Sequence, residues 1–414
     1  MWTARNRLVL GMLIAAGVLN YADRQIIAVL KPMMQSSLHW TDGDYGRLAA
    51  VFQVASAVAL LGSGWVVDRI GWRNANPLAV GSWSLAAMAH AVARTLGQLT
   101  IARVALGATE ALGTPTSIKT IAAVFRNEDR SVAMGVMSAC GGAVGSIVTP
   151  LMIPWLAATF GWANAFLVAG GLGLIWVAVW QWSAPGRGSV YAPHGAPKGR
   201  DRVRLSAVLQ DRGTWAVAGA KVLSDQIFWL LLFWMPDLFH RVFHLSIAGY
   251  GPPLAVIHGC AALGSLIGGW VPTHLIRRGV TLNAARKWCL LGAALLVTPI
   301  WLVLMVNNYW AATAILGLTL AAHQVFSVNV FALAADITPE TRLATVVGVG
   351  AFSGNMAGAA ILQAAGWVLG SGYGYAPLLA LASVSYLLGV GWVQLLLPRI
   401  VAVSPEPLVD VAPP

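Results

Sequence analysis

The sequence predicts an all-α polytopic membrane protein: twelve transmembrane helices in two six-helix bundles, with both termini cytoplasmic. Three observations carry this expectation. Hydrophobic residues make up 58% of the 414 residues and charged residues only 10%, with a mean hydropathy of +0.71, far from the balance of a soluble chain. The apolar residues fall into six long runs, a polar break, and six more. The basic residues gather on alternate connections between those runs.

A spanning helix needs about 20 predominantly apolar residues. Before the break, runs of that kind lie near 8–30, 46–67, 75–93, 97–120, 131–153 and 162–183. The first follows MWTARNRLVL and is too long for a signal-peptide core, so it reads as the first membrane helix. From Ala184 to Arg212 the chain is rich in Pro, Gly, Arg and Lys and has no apolar period, which reads as a flexible linker. The second set lies near 214–238, 250–275, 286–305, 308–333, 343–366 and 374–397. The expected organisation is an N-terminal bundle over 1–183, a cytoplasmic linker over 184–213, a C-terminal bundle over 214–399 and a disordered tail over 400–414.

Orientation follows from Lys and Arg, which accumulate on cytoplasmic loops. With the N-terminus inside, eighteen of the 26 fall on the cytoplasmic side, while Lys31, Arg47, Arg94 and Arg241 fall opposite. Arg24, Arg103, Lys119 and Lys221 lie within helices. The net charge of +11 is therefore a topology signal; no basic domain or nucleic-acid signature accompanies it. Cys140, Cys260 and Cys289 sit in apolar runs without ligand spacing and read as packing residues. No metal, cofactor or nucleic-acid partner is expected, and the chain is expected to be a monomer in a lipid bilayer.

The two sets of helices echo each other. Gly64-Trp65-Val66 ends the second run, followed by Asp68, Arg69 and Arg73; Gly269-Trp270-Val271 ends the eighth, followed by Arg277 and Arg278. Repeated halves are expected where two bundles rock about a central site. Asp68, Arg69 and Arg73 around Gly71 place charges at cytoplasmic helix ends, where they can latch one conformation. This stretch resembles the signature loop of the major facilitator superfamily.

Asn20-Tyr21-Ala22-Asp23-Arg24-Gln25 resembles a segment of its anion:cation symporter family, particularly the hexuronate transporter branch. Ile118-Lys119, Gly161-Trp162, Leu232 to Pro236, Ala284 to Lys287 and Ala321 to Gln324 resemble that branch too, so the likeness runs from about residue 8 to Arg399. It implies a bacterial inner-membrane secondary transporter, importing a small organic anion by proton symport with a hexuronate favoured. Three places depart from the branch. Ser56 stands where a Tyr is usual, Gly113 where an Asn follows the helix-four Glu, and Ser138 to Pro150 has Ala and Gly in place of Asn. Fewer amides and phenols mean fewer partners for sugar hydroxyls, so a hydroxyl-poor aromatic or aliphatic carboxylate is an alternative; an aldonate is another monocarboxylate the resemblance leaves open.

An ionisable group in the bilayer core is costly and so marks function. At 1.5 Å per residue, Asp23, Arg24 and Arg103 all lie about 10 Å below the outer face. Glu110 lies two turns deeper, on the same face of its helix as Arg103. The expectation is that Arg24 or Arg103 grips a substrate carboxylate as a two-pronged hydrogen bond while Asp23 and Glu110 carry protons. Asp23 is expected to pair with an arginine until the substrate takes its place; an Asp23–Arg103 pair of purely structural role is the alternative. The resemblance implies the same four residues.

Tyr21 and Gln53 are further candidate substrate contacts, as are Gln324 and Asn355 among the polar groups His323, Gln324, Asn329 and Asn355. His90 and His258 read as packing residues, His323 as an occasional proton site, and Trp229 and Trp234 as belt or core residues. Lys221 and Asp225, four apart, are expected to pair with each other, and Lys119 to snorkel. Two arginines in the membrane argue against a drug/proton antiporter for cations. A membrane enzyme would need a His-Glu-x-x-His or Gly-x-Ser-x-Gly constellation, which the sequence lacks.

Overall fold

A computed structural model describes residues 2–183 and 205–401. Most of the expected linker (184–204) and tail (402–414) lies outside the described residues. Among those residues the secondary structure is helical throughout, without strands, and ten helices are long and apolar enough to cross a membrane.

Local chemistry accounts for the breaks. Thr3 caps α1 (Ala4–Val29), and Pro32 at the start of α2 (Lys31–Leu38) helps turn the chain at Leu30. Thr41 and Asp44 form a capping box that starts α3 (Asp42–Val92). The expected second and third runs are joined in this element. Its 51 residues exceed what a bilayer core of about 30 Å needs, and Gly71, at φ 75° and ψ 153°, interrupts it.

The expected fourth run is split into α4 (Leu96–Glu110) and α5 (Gly113–Val124). Pro115 lacks the N–H that would bond the carbonyl of Ala111, and its ring crowds that turn. The helix therefore breaks at Ala111 and Leu112, directly after Glu110. Next come α6 (Asn127–Phe160) and α7 (Trp162–Ser183), then a short α8 (Leu205–Leu209). The later residues form α9 (Arg212–Phe243), α10 (Gly251–Arg277), α11 (Leu282–Val297), α12 (Tyr309–Ile337), α13 (Glu340–Gly370) and α14 (Ala376–Leu396). A 3-10 turn over Thr298–Leu304 extends α11 past Pro299.

Helices before the linker pack chiefly on one another, α1 on α6 and α3 on α4 and α7. Those after it do the same, α9 on α13 and α14, α12 on α10 and α11. The two groups meet through α3 on α13, α6 on α10 and α1 on α9. Where α3 meets α13, a Cβ at Gly46 would lie 2.7 Å from the Leu362 carbonyl oxygen and 2.9 Å from Gly366 Cα, so only glycine permits this approach.

That contact lies toward the end of the bundle away from both termini, and a charge cluster closes the same end. Lys31 Nζ lies 2.9 Å from Asp42 Oδ1 and 2.5 Å from Asp237 Oδ1. Arg241 reaches Asp237 Oδ2 through Nε at 2.8 Å and also pairs with Asp42. Tyr375 donates to Asp237 Oδ2 at 2.5 Å, Tyr45 donates to the Phe233 carbonyl at 2.7 Å, and Tyr250 donates to the Val29 carbonyl. Burial lowers the Lys31 pKa from its usual value, against the raising influence of Asp237. A buried cluster of this kind is weak evidence for stability; two of its ion pairs, Lys31–Asp237 and Arg241–Asp42, cross between the two groups of helices. The sequence reading treated Lys31 and Arg241 only as loop charges.

Candidate functional site

Between the two groups of helices, on the terminus side of the closed end, lies a chamber of about 340 Å³. Helix α1 contributes Asn20, Tyr21 and Arg24; α3 contributes Gln53, Ser56 and Trp83; and α4 and α5 contribute Glu110, Thr114 and Ser117. Trp229 of α9 and Asn355 of α13 line it from the other group.

Arg24 dominates the wall. It donates to Glu110 Oε2 through Nε at 3.2 Å and Nη2 at 2.8 Å, and Nη2 lies 3.4 Å from Asn20 Oδ1. Its guanidinium carbon lies 5.5 Å from the ring centres of Phe52 and Trp229 and 5.6 Å from that of Tyr21. Three aromatic faces therefore hold a cation that would otherwise be costly at this depth. The Phe52 ring also lies 5.5 Å from the guanidinium carbon of Arg103, so it stands beside both arginines.

The four intramembrane charges come together, but with different partners from those expected. Arg24 takes Glu110, whereas neither oxygen of Asp23 and none of the three Arg103 guanidinium nitrogens has a hydrogen-bond partner. Both residues are buried, at 1% and 0% exposure, and neither lines the chamber. Asp23 and Arg103, expected to pair, thus share no hydrogen bond, although each lies within the other's electrostatic reach. The helix break after Glu110 turns that carboxylate toward Arg24.

The remaining candidates sort clearly. Tyr21, Gln53 and Asn355 line the chamber, and Gln324 lines an adjoining one. Trp229 is a chamber residue, not only a belt or core residue, while Trp234 is core, edge-on to Tyr45. His90 packs as expected, stacked on Phe166 with Nδ1 against the Ala86 carbonyl at 2.8 Å. His258 is likewise buried and partnered, facing Gln25 at 3.4 Å, and its ring also borders the adjoining chamber.

His323 is held by Tyr386 at 2.7 Å, and Asn329 by Arg286 and the Gly268 carbonyl, so neither serves the chamber. Lys221 and Asp225 pair as expected, at 2.8 Å, with Ser327 as a further partner of Lys221. Lys119 does not snorkel freely; it binds Asp68 at 2.8 Å and the Val67 carbonyl at 2.9 Å. Arg69 lies over Trp65, and Arg73 over Trp72 with its carbonyl accepting from Trp180. The contacts of Asp68, Arg69 and Arg73 named here all fall before the linker.

Sequence reasoning missed Trp83, whose buried indole N–H has no partner, and did not single out the Asn20 amide, whose Nδ2 is likewise unpartnered. Neither side chain is charged, so the cost that flags an intramembrane residue gave no signal. Together with Gln53 Nε2, they give the chamber three N–H donors without partners in the protein.

A helical membrane bundle with a charged, donor-rich chamber between two groups of helices has the form of a solute transporter. A family model described as the Major Facilitator Superfamily matches residues 13–362. The chain belongs to this superfamily and is a multi-pass inner-membrane transporter. It is 26% identical over 414 residues to the hexuronate transporter of Escherichia coli (strain K12), across 96% of this chain and 95% of that protein. A D-galactonate transporter of Escherichia coli O6:H1 is 26% identical over 415 residues, 93% of this chain and 94% of that one. A galacturonate transporter of Dickeya chrysanthemi is 26% identical over 318 residues, covering 73% and 92%. Among solved structures, a bacterial homologue of the human lysosomal transporter Spinster, inward-facing and occupied, matches with a TM-score of 0.73 at 17% identity, over 96% of each chain.

Proposed function

We propose that the chain imports a small organic anion together with protons by alternating access. The observation that carries this reading is Arg24, held on the chamber wall by Glu110 at 2.8 Å beside the buried Asp23 and Arg103. An incoming carboxylate replaces Glu110 on Arg24 as a charge-assisted hydrogen bond. Two arginines and two carboxylates balance before it arrives. Afterwards the cluster carries one uncompensated negative charge in a low-dielectric site, and a proton on Glu110 or Asp23 restores the balance. A proton taken up in this way travels with the anion.

In this reading α3 crosses the membrane twice about Gly71, and α4 with α5 makes one further crossing. That gives twelve crossings with both termini cytoplasmic. The cluster at Lys31 and Asp237 closes the outer side, so the chamber belongs to the inward-facing state. The two groups of helices are the two rocking bundles, and Asp68, Arg69 and Arg73 form a cytoplasmic latch, of which Asp68 here binds Lys119. The chain works as a monomer.

The relatives named for hexuronates, galacturonate and galactonate make glucuronate and galacturonate the first substrates to test, with aldonates and simple carboxylates alongside. Purified protein in liposomes should accumulate a labelled carboxylate when an inward proton gradient is imposed, and a protonophore should abolish it. Accumulation indifferent to the gradient would remove the proton-coupled reading.

A further inference from the structure

The polar chamber shares Tyr21, Ser138 and Gly142 with a second chamber of about 600 Å³. The chemistry of this second chamber is different. After the linker, its wall is built mainly of Phe228, Leu232, Leu320, Val328 and Phe331, with Gln324, His258 and Ser265 as the polar exceptions, Ser265 turned to its own helix at the Ala261 carbonyl. His258 already faces Gln25. Phe228 is fixed in place, stacked on His323 with ring centres 4.8 Å apart and edge-on to Trp229. By contrast, the unpartnered donors of Asn20, Gln53 and Trp83 all line the first chamber, on helices before the linker.

The cavity is thus divided, with hydrogen-bond donors on one side and an apolar wall on the other. A sugar acid carries hydroxyls along its whole length, and those turned toward Leu320, Val328 and Phe331 would be desolvated without partners. A flat apolar ring loses nothing there and gains by burial. We infer that the transported anion is an aryl monocarboxylate, its carboxylate on Arg24 and its ring in the second chamber against Phe228, Leu320 and Phe331. This assignment rests on the reading of Arg24 as the carboxylate grip. It also gives the second group of helices a reason to close, because Phe228, Leu320 and Phe331 of this group would cover the ring while Trp229 and Asn355 face the carboxylate end.

The test uses the full chain in liposomes with an imposed inward proton gradient, and phenylacetate, acetate, glucuronate and galactonate as probes. Phenylacetate should accumulate beyond the level in protein-free liposomes, which the neutral acid enters by diffusion, and should compete for protein-dependent uptake at least tenfold better than acetate and at least tenfold better than either sugar acid. Leu320→Gln should narrow the preference for phenylacetate over acetate by tenfold or more. The acetate comparison needs no variant, so the outcome does not depend on that substitution folding. Accumulation of glucuronate or galactonate without competition by phenylacetate would overturn the aryl assignment while leaving the carboxylate grip intact. Failure of all four acids to accumulate or compete would overturn both.

Discussion

Arg24 places both of its hydrogen bonds to Glu110 on one oxygen, Oε2, and leaves Oε1 of that carboxylate without a partner. The pair is therefore complete in charge but incomplete in hydrogen bonding, which suits a contact that must be exchanged for a substrate. Arg24→Lys keeps the charge and loses the fork. Loss of one charge-assisted bond, about 1.5–3 kcal/mol, should weaken carboxylate binding roughly ten- to hundredfold. Competition binding on purified protein reads this directly, and unchanged affinity would remove Arg24 from the grip.

Glu110→Gln and Asp23→Asn remove one titratable carboxylate each. Both should abolish uphill accumulation driven by a proton gradient while sparing exchange of labelled for unlabelled anion. Parallel accumulation and exchange assays separate the two steps. A variant that still concentrates substrate has lost no proton carrier.

Lys31→Met takes away the cation nearest Asp237 but leaves Arg241 to both carboxylates. The closed end should loosen by about 1.5–3 kcal/mol, tenfold or more in its opening equilibrium. Hydrogen exchange around Tyr250 should quicken accordingly, with exchange inside α12 unchanged.

Lys221 and Asp225 form a buried pair at 5% and 13% side-chain exposure. Removing either partner alone should cost about 3–5 kcal/mol, and removing both together much less. Thermal unfolding of Lys221→Met, Asp225→Asn and the double variant tests this non-additivity. Additive losses would show that the two residues do not depend on each other.

Asp68 and Lys119 are more exposed, at 78% and 33%, and a surface pair of this kind contributes less than about 1 kcal/mol. Asp68→Asn should therefore leave the melting temperature in place. If Asp68 is a latch for the opposite conformation, the variant should nonetheless slow turnover.

Much of this was legible in the sequence. The cost of burying Asp23, Arg24, Arg103 and Glu110 among apolar residues marks the charge cluster in the sequence itself. Their pairing was not legible, because helix periodicity places Glu110 two turns from Arg103 on one face but does not show that Arg24, on another helix, takes Glu110. The i,i+4 spacing that gave Lys221 and Asp225 also relates Asp237 to Arg241. That pair went unread because its partners, Lys31 and Asp42, lie some 200 positions away in the chain. Trp83 and Asn20 needed the cavity itself to single them out.

The closing cluster has one further property. Lys31 and Asp42 both come from before the linker, Asp237 and Arg241 both from after it, and each couple is bonded internally as well as across. Pulled apart, the four charges separate into two self-neutral couples, and none is left stranded. Opening of this end therefore moves no net charge with either group of helices. Its rate should be nearly blind to the membrane voltage, leaving the cell's electrical driving force to act on the anion and its protons.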